Sequence, residues 1–122
     1  LQIRIWLDGQ HREPDQVDST LRKNALEMNR IPVPQNTFFI SEMQPPTPLD
    51  PPAITRLESV ICPTWIVAGA LDHSEVLRAA DEMAKRIPNA RKTIIESTGH
   101  VPSYEQPELF VKMLMDFLCG MN

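Results

Sequence analysis

Two residues in this sequence are of the right types, at the right kind of position, to share a proton: Asp72 and His100. Histidine is the side chain whose ordinary pKa, near ~6.5, lets it accept and return a proton at neutral pH. A carboxylate beside it can hold it in place. Residues 91–102 read RKTIIESTGHVP. Thr93, Ile94 and Ile95 make a short β-branched run suited to a strand over residues 92–96, and Ser97, Thr98 and Gly99 close it with turn chemistry that lifts His100 onto the strand's end. Asp72 has a matching position. It stands just beyond the apolar run from Trp65 to Ala68, which ends at Gly69 and gives way at once to a helical pattern. If the two strands lie parallel and adjacent, both side chains project from the same edge of the sheet, where open α/β sheets place their sites.

The elements that must position this pair are legible from pattern. Trp65 to Ala68 is apolar on both faces, as expected of a parallel strand covered by helices on each side. Residues 74–87 form an amphipathic helix with Val76, Ala80, Met83 and Ile87 in register, stopped by Pro88 and Asn89. After the second strand, Pro107 fits the first turn of a last helix whose inner face is Phe110, Met113 or Leu114, and Phe117, with Gly120 as its stop. Strand, helix, strand, helix is the βαβ signature.

Upstream, residues 1–7 alternate loosely and suit either a short strand or the end of a helix. Residues 15–29 give a further helix, capped by Asp18, Ser19 or Thr20, with Val17, Leu21, Ala25 and Met28 recurring on one face. From Pro32 to Pro52 the chain carries seven of its 12 prolines, which excludes a helix interior or a central strand. A flexible linker is one reading of such a stretch. The burial that Phe38, Phe39 and Ile40 require favours an ordered strap on the surface, followed by a short helix at residues 53–57.

The 122 residues suffice for one domain with a real core. Hydrophobic residues make 42% and charged residues 23%, and a net charge of -4 gives no electrostatic reason to expect nucleic acid or an anionic membrane. Nothing approaches the run of ~18 apolar residues that a membrane span needs, and no signal-peptide layout opens the chain. Leu1 in place of methionine fits a processed or truncated product. Cys62 and Cys119 lack partners at metal-ligand spacing and read as small, buried or half-buried hydrophobes in a reducing, cytoplasmic setting. His73 could form a metal pair with His100, but no third ligand stands nearby, so no metal and no cofactor is expected. His11 and His73 read as structural or solvent-facing, and Arg78, Lys85, Arg86, Arg91 and Lys92, interleaved with acids, as a solvated face.

The segments PTWIVAGALD and STGHVPSYEQPE, within residues 50–118, resemble the C-terminal half of an α/β-hydrolase. In that family the triad runs Ser, then Asp or Glu, then His along the chain. The resemblance therefore implies that Asp72 is the triad acid, fixing the histidine's tautomer, and that His100 is the base. Ala70 departs from the pattern, since relatives often carry a second acid in that turn. The resemblance also implies three regions: residues 1–44 as part of a helical cap, with Gly9 ending its first helix, residues 45–52 as a proline-rich connector, and residues 53–122 as the C-terminal part of the core. The expected fold is thus α/β, two parallel strands with flanking helices preceded by a partial cap.

Taken singly, each site residue has a structural reading: His100 as a turn histidine capping the last helix, Asp72 as a routine N-cap. No nucleophile is visible. The four glycines frame no serine on both sides, as the elbow requires. Ser97 has only Gly99 and is followed by Pro102, which would spoil a helix there, and Cys62 lies at the wrong end of its strand. The oxyanion hole of the family is built from its front half, which is not in these residues. The expectation is a serine hydrolase portion for a small ester or related carbonyl substrate, inactive alone. The alternative is a non-catalytic, hydrolase-like interaction module. Either way an apolar strand with one unpaired edge calls for company, from a second copy in a homodimer or from the missing N-terminal half.

Overall fold

A computed structural model describes residues 3–31 and 47–120. Six regular elements carry the architecture: α1 (Ser19–Arg30), β1 (Thr64–Gly69), α2 (Ser74–Arg86), β2 (Ala90–Ile95), α3 (Pro102–Glu105) and α4 (Pro107–Cys119). A π-helical turn, Arg4–Asp8, and two 3₁₀ turns, Pro14–Gln16 and Ala53–Ser59, complete them. β1 and β2 run parallel in a register from Thr64↔Ala90 to Gly69↔Ile95. Among the described residues they form a sheet of two strands.

The period-two pattern of β1 explains the layers. Ile66 and Ala68 face α2, where they pack with Leu77, Ala80, Met83 and Ala84. Trp65, on the opposite face, stacks on Phe110 and Phe117 of α4, with ring centroids 5.6 and 5.9 Å apart. Its indole N–H reaches Thr93 Oγ1 on β2 at 3.0 Å, so the polar tip is satisfied without leaving the layer. Each fully buried aliphatic side chain here contributes roughly 1.5–3 kcal/mol. Pro88 forces Ile87 out of the helical region, to φ −80° and ψ 118°, and so ends α2. Asn89 C=O then accepts from Thr64 N–H at 3.1 Å, which aligns the starts of the two strands.

A second apolar cluster lies apart from the sheet. Ile3, Leu7 and Val17 are buried together, with Leu21, Ala25 and Tyr104 against them. It joins the N-terminal turn and α1 to α3, and Tyr104 Oη donates to Leu21 C=O at 3.2 Å. Beneath it Asp8 is fully buried. Its carboxylate takes a two-point contact from Arg22, 3.0 and 3.1 Å, and this hydrogen bonding raises the Arg22 pKa above its ordinary value.

Several expectations shift in detail. Of the 1–7 segment, the described residues from Ile3 on are helical in character, ending at Gly9, whose φ of +76° is the left-handed value a glycine stop supplies. Asp18 is the cap of α1, its Oδ1 accepting from Leu21 N–H at 2.8 Å. Val17 is buried but extended, one residue before that cap, so it staples the helix entry instead of lying on its face. Met28 is 60% exposed, because the inward stripe of α1 is only as wide as the small cluster it covers. Pro102 does not spoil a helix but opens α3, since the first helical position needs no N–H donor. Cys62 and Cys119 are exposed, not buried, because the start of β1 and the end of α4 both lie at the surface. The expected strap around Phe38, Phe39 and Ile40 lies outside the described residues, and residues 47–52 are exposed. Among the described residues no helix is long and apolar enough to cross a membrane.

Candidate active site

Parallel pairing puts the carboxyl ends of β1 and β2 side by side, and backbone hydrogen bonds then stitch the two loops together. Ala70 N–H donates to Ile95 C=O and Leu71 N–H to Thr98 C=O, each at 2.9 Å. Thr98 is fully buried, its Oγ1 donating to Ile95 C=O at 2.9 Å. Gly69 makes this approach possible: a β-carbon there would overlap the carbonyl oxygens of Thr98 and Gly99. The last residue of β1 must therefore be bare for the histidine turn to close over it.

Asp72 and His100 meet across this seam. The carboxylate lies 2.9 Å (Oδ2) and 3.0 Å (Oδ1) from His100 Nδ1. Asp72 is buried at 5% exposure, while the His100 side chain keeps 32%. Oδ1 also accepts from His73 N–H at 2.7 Å, which fixes the carboxylate's rotation. A carboxylate can only accept, so Nδ1 carries the hydrogen and Nε2 is left with a free lone pair. The pair can therefore take up a proton at Nε2 and stabilise the resulting imidazolium.

The structural alternatives for these two residues do not match the geometry. The cap of α2 is His73, whose Nδ1 accepts from Glu75 N–H at 3.2 Å, and not Asp72. No side chain caps α3 or α4, so His100 caps neither. His11 is exposed, and with Nδ1 of His73 engaged, no three His, Cys, Asp or Glu residues converge among the described residues. Three basic residues of the solvated face find surface acids: Arg78 pairs with Glu75, Arg86 with Glu58 and Lys92 with Asp81. Hydrogen bonding from Arg78 holds Glu75 below the usual carboxylate range, and Arg86 does the same to Glu58.

A cleft of ≈570 Å³ opens beside the pair, lined by Ile5, Trp6, Gln10, His73 and Val76 as well as Asp72 and His100. Trp6 tilts over the imidazole at a centroid distance of 4.5 Å and an interplanar angle of 56°. Gly9 is pressed against the Asp72 loop, where a β-carbon would stand 2.9 Å from Leu71 O. The wall over His100 is thus supplied by the N-terminal turn.

Sequence reasoning missed Arg12 and Glu105. Both are nearly buried, at 10% and 7% side-chain exposure, and they pair at 2.7 Å. Glu105 Oε1 also accepts from Gly99 N–H at 2.6 Å. Arg12 sits in what read as a polar loop, and nothing in its neighbours marks it for burial. Glu105, within SYEQPE, had only its place shortly after the histidine to single it out.

Two parallel strands between helices, with an acid and a histidine joined at their carboxyl ends, form the C-terminal part of an α/β-hydrolase fold, and the relatives found support the α/β-hydrolase family. No family model matches the chain. It is similar to monoacylglycerol lipase ABHD6 of Bos taurus, 32% identical over 67 residues, which is 55% of this chain and 20% of that protein. A longer stretch matches the protein of Bacillus subtilis (strain 168) named "Putative 2-succinyl-6-hydroxy-2,4-cyclohexadiene-1-carboxylate synthase", 26% identical over 110 residues, 90% of this chain and 38% of that one. Among solved structures, MenH from S. aureus superposes with a TM-score of 0.53 at 34% identity, over 55% of this chain and 25% of that chain. The chain therefore spans between 20% and 38% of the length of these curated relatives.

Proposed function

We propose that this chain is the C-terminal portion of a serine hydrolase acting on a small ester or related carbonyl substrate, with Asp72 as the acid and His100 as the base of its triad. The observation that carries this reading is the 2.9 Å contact between the buried Asp72 carboxylate and His100 Nδ1, beside a cleft. In such a triad His100 Nε2 takes the proton of an attacking hydroxyl, and Asp72 stabilises the imidazolium as it forms. No serine of this chain lies between two glycines, so the nucleophile and the oxyanion hole come from a longer chain or a partner. Residues 1–44 contribute part of a cap, 45–52 a connector and 53–122 the end of the core. The lipase named among the relatives supports ester chemistry without choosing a substrate. Two free, exposed cysteines suit a reducing compartment such as the cytoplasm.

The test is hydrolysis of a panel of p-nitrophenyl esters by the longer chain that contains these residues, together with labelling by a fluorophosphonate. Turnover and labelling that both vanish in His100→Ala are expected, and undiminished turnover in that variant overturns the assignment. The 122-residue chain alone is expected to be inert in both assays.

A second reading, a non-catalytic interaction module, is favoured by one observation. Among the described residues each strand is paired on one side only, and Val111, Met115 and Leu118 leave an exposed apolar stripe on α4 at 54%, 51% and 45% exposure. Such an edge invites a further strand, from a second copy or from preceding residues of a longer chain. Native mass across a concentration series is expected to show a dimer or larger assembly of the isolated chain. A monomer at every concentration counts against both partners. A Gly-x-Ser-x-Gly segment after a strand in the longer chain selects the hydrolase, and another residue at the serine selects the module.

A further inference from the structure

We infer that the Arg12–Glu105 ion pair is a positioning device: it clamps the N-terminal turn, and with it Trp6, onto the histidine loop, and so sets the wall under which His100 works. As a statement about catalysis this rests on His100 being the base; as a statement about geometry it stands alone.

The guanidinium spends its donors on two separate parts of the chain. Arg12 Nε donates to Asp8 C=O at 3.0 Å and Nη2 to Leu7 C=O, which closes the turn that bears Trp6. Nη1 donates to Ser97 C=O at 3.3 Å and to Glu105 Oε2 at 2.7 Å, on the histidine side. Glu105 completes the link through Gly99 N–H, the residue immediately before His100. No slack exists between the halves. A β-carbon on Gly99 would lie 2.8 Å from Arg12 Nη2, 3.0 Å from Leu7 O and 3.3 Å from Glu105 Oε1.

The Asp72–His100 contact has its own support in the Ala70–Ile95 and Leu71–Thr98 backbone bonds, none of which involves Arg12 or Glu105. The two functions therefore separate. Loss of the clamp should free the Trp6 turn while leaving acid and histidine joined. Lysine cannot replace Arg12, because a single ammonium with three donors lacks the planar fork that serves four acceptors at once.

Trp6 reports the outcome. With ring centroids 4.5 Å apart, the ring protons of Trp6 and His100 give a nuclear Overhauser cross-peak that reports their contact. Arg12→Lys and Glu105→Gln are expected to cut that cross-peak at least threefold. The Trp65 indole peak and the ¹⁵N shifts of the His100 ring, which report its bond to Asp72, should stay as in the native chain. Glu105→Gln is isosteric and still accepts from Gly99 N–H, so it carries the test even where an Arg12 variant does not fold. An undiminished Trp6–His100 cross-peak in folded Glu105→Gln overturns the proposal. His100 ring ¹⁵N shifts that collapse along with it also overturn it, since they would make the pair a general support and not a clamp on the N-terminal turn. Neither result bears on whether His100→Ala abolishes hydrolysis, so the proposed function fails or survives separately.

Discussion

Asp72→Asn, introduced into a chain that also supplies the proposed nucleophile, is expected to lower kcat by about 10⁴-fold. The size of the loss follows from where the amide must point. Asp72 Oδ1 accepts from His73 N–H at 2.7 Å, a bond that an asparagine can keep only with its oxygen on that side. Its NH₂ then replaces Oδ2, 2.9 Å from His100 Nδ1, and of the two former acceptors only the oxygen, 3.0 Å away, remains. The donor beside Nδ1 favours the tautomer with the hydrogen on Nε2, the atom that would accept the nucleophile's proton, and a neutral oxygen no longer stabilises an imidazolium. Shape and packing barely change, while the proposed base is switched off. Two measurements check this: kcat on the ester that the longer chain turns over best, and the ¹⁵N shifts of the His100 ring in the isolated chain, expected to exchange their Nδ1 and Nε2 character. Activity within tenfold of the native enzyme would remove Asp72 from the mechanism.

Gly69→Ala is expected to be the most damaging substitution of a single methyl group. The added carbon falls onto the carbonyl oxygens of Thr98 and Gly99, which are backbone atoms with no rotamer to yield. Relief requires the histidine loop to lift off β1, at the cost of the Ala70–Ile95 and Leu71–Thr98 hydrogen bonds. Overpacking of this kind costs about 1–3 kcal/mol before those bonds are counted, enough to lower Tm by roughly 10 °C in a domain of this size. The Asp72–His100 contact should open with it. Thermal unfolding by circular dichroism measures the first effect and the His100 ring resonances the second; a Tm within 2 °C of the native value, a band of about half a kcal/mol or less, would show that the seam is looser than described.

The scaffold was readable because its signals are local. The β-branched run before Ser97, the apolar run from Trp65 and the amphipathic stretch after His73 each report their own backbone state within a few residues, and the two strands and the helix between them follow. Turn chemistry at Gly99 and a helix start after Asp72 likewise placed both residues at strand ends, where parallel pairing alone brings them to one edge. Where expectation and structure part, the deciding contact is distant in sequence. Met28 and the two cysteines were assigned to the interior on residue type, but exposure depends on what covers a helix face or a chain end, and little does so here.

Residue order alone determined that an acid and a histidine follow two consecutive strands, since strand and turn propensities act between neighbours and need no partner. Only the tertiary structure decided that His73 and not Asp72 caps α2, that the N-terminal turn comes to rest on His100, and that Arg12 and Glu105 are buried against each other. Those outcomes depend on which donors and acceptors the packed chain leaves unsatisfied. A guanidinium among carbonyls from residues 7, 8 and 97 is favourable only once all three have been brought to the same place.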